Sequence, residues 1–89
     1  MTRLRIVVEG RVQGIGYRWF VRESAQRLRV SGWARNRDDG SVELEAEGGT
    51  EALEALVAEL RTGHPLSQVS RLSSETVAAT GEQGFEIRR

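Results

Sequence analysis

Residues 9–20, EGRVQGIGYRWF, set Gly10, Gly14 and Gly16 beside Arg11 and Arg18, with no serine, threonine, aspartate, lysine or cysteine among them. Glycine reaches positive φ at little cost, so these positions let successive backbone N–H groups turn to one side. Such a concave array holds an anion. A helix beginning near Tyr17 adds the partial positive charge of its N-terminus to the same place. Arg18, in that first turn, supplies a planar fork suited to two phosphate oxygens. Together these features describe a pocket for a phosphate-sized dianion. They also describe a glycine-rich connector with a surface arginine, and the loop alone leaves both readings open.

What is missing narrows the chemistry. No Gly-Lys-Ser/Thr ending follows, so the stretch is not a nucleotide P-loop, and Gly14-x-Gly16 lacks the third glycine of a dinucleotide fingerprint. Val12 stands where a tyrosine-phosphatase-type loop carries its cysteine. No loop side chain can form a covalent phosphoenzyme, so water must be the attacker. Asn36 can hold that water, because a carboxamide accepts one hydrogen bond from it and donates another to an oxyanion. The only histidine, His64, is expected at the surface, at the end of a helix and remote from the loop. Without a general acid, the leaving group departs unprotonated. A carboxylate does so readily, since its conjugate acid has a pKa of about 4. An acyl phosphate is therefore favoured over a phosphate monoester. No carboxylate cluster suggests a metal, and Asp38-Asp39 reads as a turn.

The elements that must position these groups follow from periodicity. Leu4, Ile6 and Val8 alternate with Arg5, Val7 and Glu9, as in a half-buried strand. Tyr17, Val21, Ser24 and Leu28 share one side of a helix. SGWARN reads as a second strand and Asp39-Gly40 as a hairpin turn. Val42, Leu44 and Ala46 alternate with Glu43, Glu45 and Glu47, predicting a third strand with an acidic outer face. Thr50 is the expected N-cap of a second helix, whose apolar stripe is Leu53, Leu56, Val57 and Leu60, stopped by Gly63 and Pro65. Strand is expected from about Val69 to Ala79, and GFEIRR closes the chain as a short strand. The order βαββαβ with a C-terminal addition predicts an α+β, ferredoxin-like sandwich: an antiparallel sheet with two helices packed on one face.

Composition sets the outer limits. The 89 residues, 38% hydrophobic and 29% charged, suit a single domain over 1–89. The absence of cysteine excludes disulfides, thiol nucleophiles and cysteine zinc sites. MTRLRIVVEG is too polar for a signal peptide, and no apolar run nears the roughly 20 residues that cross a bilayer, so a cytoplasmic protein without membrane contact is expected. The formal net charge of +0 lacks the field of a non-specific nucleic-acid binder. Trp19, Trp33 and Tyr17 beside arginines raise base stacking as a rival, because RNA-binding domains share this element order. The RNP1 pattern is absent, and the third strand carries glutamates, so no nucleic-acid partner is expected. A catalytically silent anion-binding module is the other rival.

With these residues in hand, the chain resembles the acylphosphatase family. Gly10-x-Val12-Gln13-Gly14-Ile15-x-Tyr17-Arg18 is similar to its first signature, and Gly32-Trp33-Ala34-Arg35-Asn36, followed by Gly40-x-Val42 and Gly48, to its second. The resemblance implies that Arg18 binds the phosphate together with the N–H groups of Arg11, Val12, Gln13, Gly14, Ile15, Gly16 and Tyr17. It implies that Asn36 orients the water. The implied reaction is acyl phosphate plus water to carboxylate plus inorganic phosphate, with no metal or cofactor, in a small cytosolic monomer. Acetyl phosphate, carbamoyl phosphate and 1,3-bisphosphoglycerate all fit that chemistry. Ile15 and Tyr17 replace the more usual valine and phenylalanine. Arg29 stands where the family often ends its helix with glycine, at a cost of about 1 kcal/mol if the backbone there is left-handed.

Overall fold

Alternating side chains build the core from its strands outward. In the computed structural model, which describes residues 1–89, β1 (Thr2–Arg11), β3 (Val42–Gly48) and β2 (Ser31–Asn36) run antiparallel at the centre of a sheet. Ile6 lies opposite Leu44, Val8 opposite Val42, and Ala34 opposite Leu44, and all of these are fully buried. Two helices cover that face: α1 (Tyr17–Arg27), which buries Val21 and Ala25, and α2 (Thr50–Thr62), which buries Leu53, Leu56 and Leu60. These side chains form one continuous cluster. Burying each large aliphatic group contributes roughly 1.5–3 kcal/mol.

The sheet order is β4-β1-β3-β2-β5. β4 (Gln68–Val77) pairs antiparallel with β1, completing the ferredoxin-like βαββ-αβ core. The C-terminal addition, β5 (Phe85–Arg88), pairs with β2 in parallel at the opposite edge. Residues 78–84 therefore cross one end of the sheet, and Glu47 pins that strap by accepting from the N–H groups of Thr80 (2.8 Å) and Gly81 (3.1 Å). No helix is long and apolar enough to cross a membrane.

The acidic outer face expected of the third strand is largely covered. Glu43 and Glu47 are only 5% and 8% exposed. Glu43 accepts from Arg5 Nε at 2.6 Å and from Arg35 Nε at 2.7 Å. Arg3, 1% exposed, donates to Glu45 (2.6 Å), to Glu47 (3.1 Å) and to the Thr80 hydroxyl (3.1 Å). Cross-strand neighbours interleave the two signs, so each charge is covered by its partner. Burial opposes the charge on Arg3, but the Glu45 and Glu47 carboxylates more than offset it and its pKa is raised. For Glu43, burial works against ionisation, and the hydrogen bonds from Arg35 and Arg5 win, holding its pKa below the usual carboxylate range.

Both helix ends depart from simple rules. Gly49, in extended backbone, is the N-cap of α2, since its carbonyl accepts from the Leu53 N–H at 3.0 Å; Thr50 already lies inside the helix and its side chain caps nothing. At the end of α1, Arg29 adopts φ 60°, the only non-glycine residue with positive φ. Its N–H donates to the Gln26 carbonyl (3.1 Å) while the Val30 N–H reaches the Ala25 carbonyl (2.8 Å). That pair of bonds is a Schellman closure, which favours glycine at the left-handed position.

Two outcomes follow for stability. Arg29→Gly raises it by about 0.5–1 kcal/mol, read as a Tm increase of roughly 3–6 °C, whereas Arg29→Ala brings no such gain. The depressed pKa of Glu43 means its contribution is fully present above the ordinary glutamate value of about 4.3 and is lost as pH falls through the lower folded value. Denaturation profiles from about pH 5 to pH 3 therefore fall less steeply for Glu43→Gln than for the parent chain.

Candidate functional site

β1 ends where its ladder slips. The register with β4 shifts between Glu9 and Gly10, and Gly10 at φ 125° lies so close to β4 that a Cβ would meet the Gln68 carbonyl oxygen at 2.1 Å. Arg11, opposite Gln68, is the last strand residue, and residues 12–16 then lead into α1. Three side chains root this loop. Val12 is 1% exposed, Ile15 packs against the core, and the buried Tyr17 donates its hydroxyl to the Leu60 carbonyl at 2.6 Å. Burial pushes the Tyr17 phenol well above its usual pKa, which keeps it a neutral donor.

The Gln13 side chain makes the fourth anchor. Its Nε2 donates to the carbonyls of Arg37 (2.8 Å) and Ser41 (2.9 Å), which flank the β2–β3 turn. Asp39 braces the same turn by accepting from the Ser41 N–H (2.9 Å) and hydroxyl (2.5 Å), bonds that lower its pKa. The loop and the turn are thus fastened together.

With those side chains rooted inward, Gly14 and Gly16 are left exposed. Gly14 and Gly16 both adopt φ 75°. None of the amides of residues 12–16 donates to any group of the protein, and the first paired amide of α1 is that of Phe20, bonded to the Gly16 carbonyl at 3.1 Å. Gly16 is the N-cap, no side chain caps the helix, and no acidic residue occupies its first turn. The positive helix end is therefore uncompensated. Arg18 stands in that turn with no carboxylate within ion-pair distance, and its Nη1 donates to the Arg88 carbonyl at 3.0 Å.

That contact ties Arg18 to β2. Arg88 lies opposite Arg35 in the parallel β5–β2 pair, and the next residue is Asn36, the end of β2. Strand alternation puts Asn36 on the same face as Ala34, the helix-covered side, at the end of the sheet where the 12–16 loop and α1 begin. The Asn36 Oδ1 is buried and accepts no hydrogen bond from the protein. A polar cleft of about 330 Å³, lined by Arg35, Asn36, Arg37, Asp38 and Asp39, opens beside it. The largest groove, about 530 Å³ between α2 and β4, contains none of these groups.

The expected site residues thus converge on one end of one face. Arg11 differs from the rest, being the strand's last residue rather than part of the free loop. Gln13 has a second part that sequence reasoning missed, the clamp on the turn, and the Arg88 carbonyl was missed altogether. His64, partly exposed just beyond α2, packs its ring against Tyr17 (6.0 Å between centroids) and Phe20 (5.4 Å) and does not line the cleft beside Asn36. Its Nδ1 accepts from the Leu66 N–H at 3.1 Å, so it organises the α2–β4 turn beside the loop's anchor.

Comparison with known proteins supports the fold. The acylphosphatase family profile matches residues 4–87. The acylphosphatase of Bacillus subtilis (strain 168) is 43% identical over 98% of this chain and 97% of its own, and that of Bifidobacterium longum is 51% identical over 100% and 94%. The crystal structure of acylphosphatase from Bacillus subtilis superposes with a TM-score of 0.96 at 41% identity, covering 100% of both chains.

The clamp has a measurable consequence. Gln13→Ala leaves two turn carbonyls without their donor, which costs about 1 kcal/mol in chemical denaturation and raises KM for an acyl phosphate by loosening the loop.

Proposed function

The chain belongs to the acylphosphatase family, and from that premise we propose how it hydrolyses acyl phosphates. The phosphoryl group sits in the loop, its oxygens accepting from the unpaired amides between Val12 and Tyr17 and from the guanidinium of Arg18. Arg11, at the strand end, contributes its own amide at the margin of the same curve. Asn36, which lines the polar cleft, takes a water through its carboxamide and aims it at phosphorus. The observation that carries this reading is the run of unpaired amides at an uncapped helix end, beside an arginine that no carboxylate neutralises. Backbone donors of this kind are normally satisfied within a fold.

Phosphoryl transfer passes through a loose transition state in which charge spreads over the equatorial oxygens. Fixed donors aimed at those oxygens stabilise that charge without reorganising during the reaction. Water attacks directly, the P–O bond to the acyl group breaks, and a carboxylate leaves with the bonding electrons. Because that carboxylate is stable unprotonated, the site needs no general acid. Arg18 and the amides supply the positive charge, so the mechanism gives no part to a metal or cofactor.

The same proposal takes residues 1–89 as one domain, working as a monomer in the cytoplasm. The single apolar cluster supports one domain, and the absence of cysteine suits a reducing compartment.

Arg18→Ala is expected to lower hydrolysis of benzoyl phosphate by at least about 10²–10³-fold while the folded spectrum persists. Asn36→Ala is expected to lose turnover while keeping most of its affinity for inorganic phosphate. Normal turnover in the first variant, or equal losses of rate and phosphate affinity in the second, contradicts the assignment.

A further inference from the structure

We propose that Trp19 selects the acyl group and tunes this enzyme toward planar, aromatic acyl phosphates, an inference that rests on the phosphate reading of the loop. The buried residues Tyr17, Val21, Ser24 and Ala25 define the side of α1 that faces the core. At about 100° per residue, Trp19 stands on the opposite side, in the first turn and directly after Arg18. It is 55% exposed, and the only other large apolar residues so exposed are the aliphatic Met1 and Leu66.

The indole is also held in place. Arg22, one turn further on, lays its guanidinium 4.1 Å from the centroid of the ring, and its Nε is buried there without a hydrogen-bond partner. Stacking of this kind fixes a ring that would otherwise sample several rotamers. Side chains on a helix lean toward its N-terminus, so the Trp19 indole is carried toward Gly16 and the loop.

Reaction geometry gives the ring its use. In an in-line displacement the incoming water and the leaving group stand on opposite sides of phosphorus. Asn36 belongs to the sheet layer, so water approaches from that layer and the acyl group departs on the outer side of α1. That is where Trp19 stands. One indole face carries Arg22, and the remaining surface suits stacking against a flat acyl group such as benzoyl, whereas a methyl group gains little from it.

The test compares kcat/KM for benzoyl phosphate and acetyl phosphate in the parent chain, Trp19→Ala and Trp19→Phe. The benzoyl-to-acetyl ratio is expected to fall about five- to tenfold in Trp19→Ala and to recover largely in Trp19→Phe. In a Trp33→Phe background, where Trp19 is the only indole, benzoylphosphonate is expected to alter the emission far more than inorganic phosphate does. An active parent whose ratio is unmoved by Trp19→Ala, or which loses both substrates equally, overturns the assignment of Trp19 alone. A parent chain that turns over neither compound overturns the acyl phosphate reading and this inference together.

Discussion

A protein rarely leaves consecutive backbone amides without acceptors, and the structure around residues 12–16 exists to sustain that condition. Left alone, such a segment would curl into a turn or extend the helix and satisfy itself. Here Val12, Ile15 and Tyr17 are drawn into the core, and Gln13 is bolted to the neighbouring turn. Gly14 and Gly16 take the left-handed conformation between those fixed points. The side chains hold, and the main chain is free to bind. On the proposed mechanism, the same division lets the loop work without a catalytic functional group of its own.

Charge is distributed on the same logic. All 13 basic residues are arginine and they balance 13 acids, so the net field is nil and local pairing decides what each arginine does. On the open face of the sheet, Arg3, Arg5 and Arg35 are engaged by Glu43, Glu45 and Glu47. These pairs hold the strands and the crossing strap in register, and they leave that face neutral. Arg18 alone in its neighbourhood is bound to a carbonyl, an acceptor that orients a guanidinium without cancelling its charge. A carboxylate in that position would compete with a phosphate; a carbonyl does not.

Much of this was legible in the chain itself, for identifiable reasons. Alternation along β1 and β3 and the spacing of Leu53, Leu56 and Leu60 report burial directly, so the layers follow from them. Glycine spacing near Arg18 reports backbone conformation, and the order of elements brings Asn36 to the same end. The left-handed Arg29 was anticipated only because glycine is the usual residue there. Other features had no local signal. Gln13 reaches the β2–β3 turn and Arg18 the Arg88 carbonyl across long sequence separations, and neither partner is a side chain whose type gives it away. The glutamates of β3 look solvated until the arginines of β1 and β2 are laid beside them by register. Thr50 resembles a cap by type, but the helix begins one residue too early for it to serve. The packing of the His64 ring against Tyr17 and Phe20 leaves no periodic trace in the chain.

The claim on which all of this turns is that the unpaired amides of the loop receive a phosphate dianion. Titrating inorganic phosphate into the isotopically labelled chain, with each amide followed by NMR, tests it most directly. The account predicts saturable downfield movement of the Val12-to-Tyr17 amides, together with slowed exchange of their protons. Shifts that gather on the arginine–glutamate face of the sheet, while those loop amides stay still at saturating phosphate, contradict it.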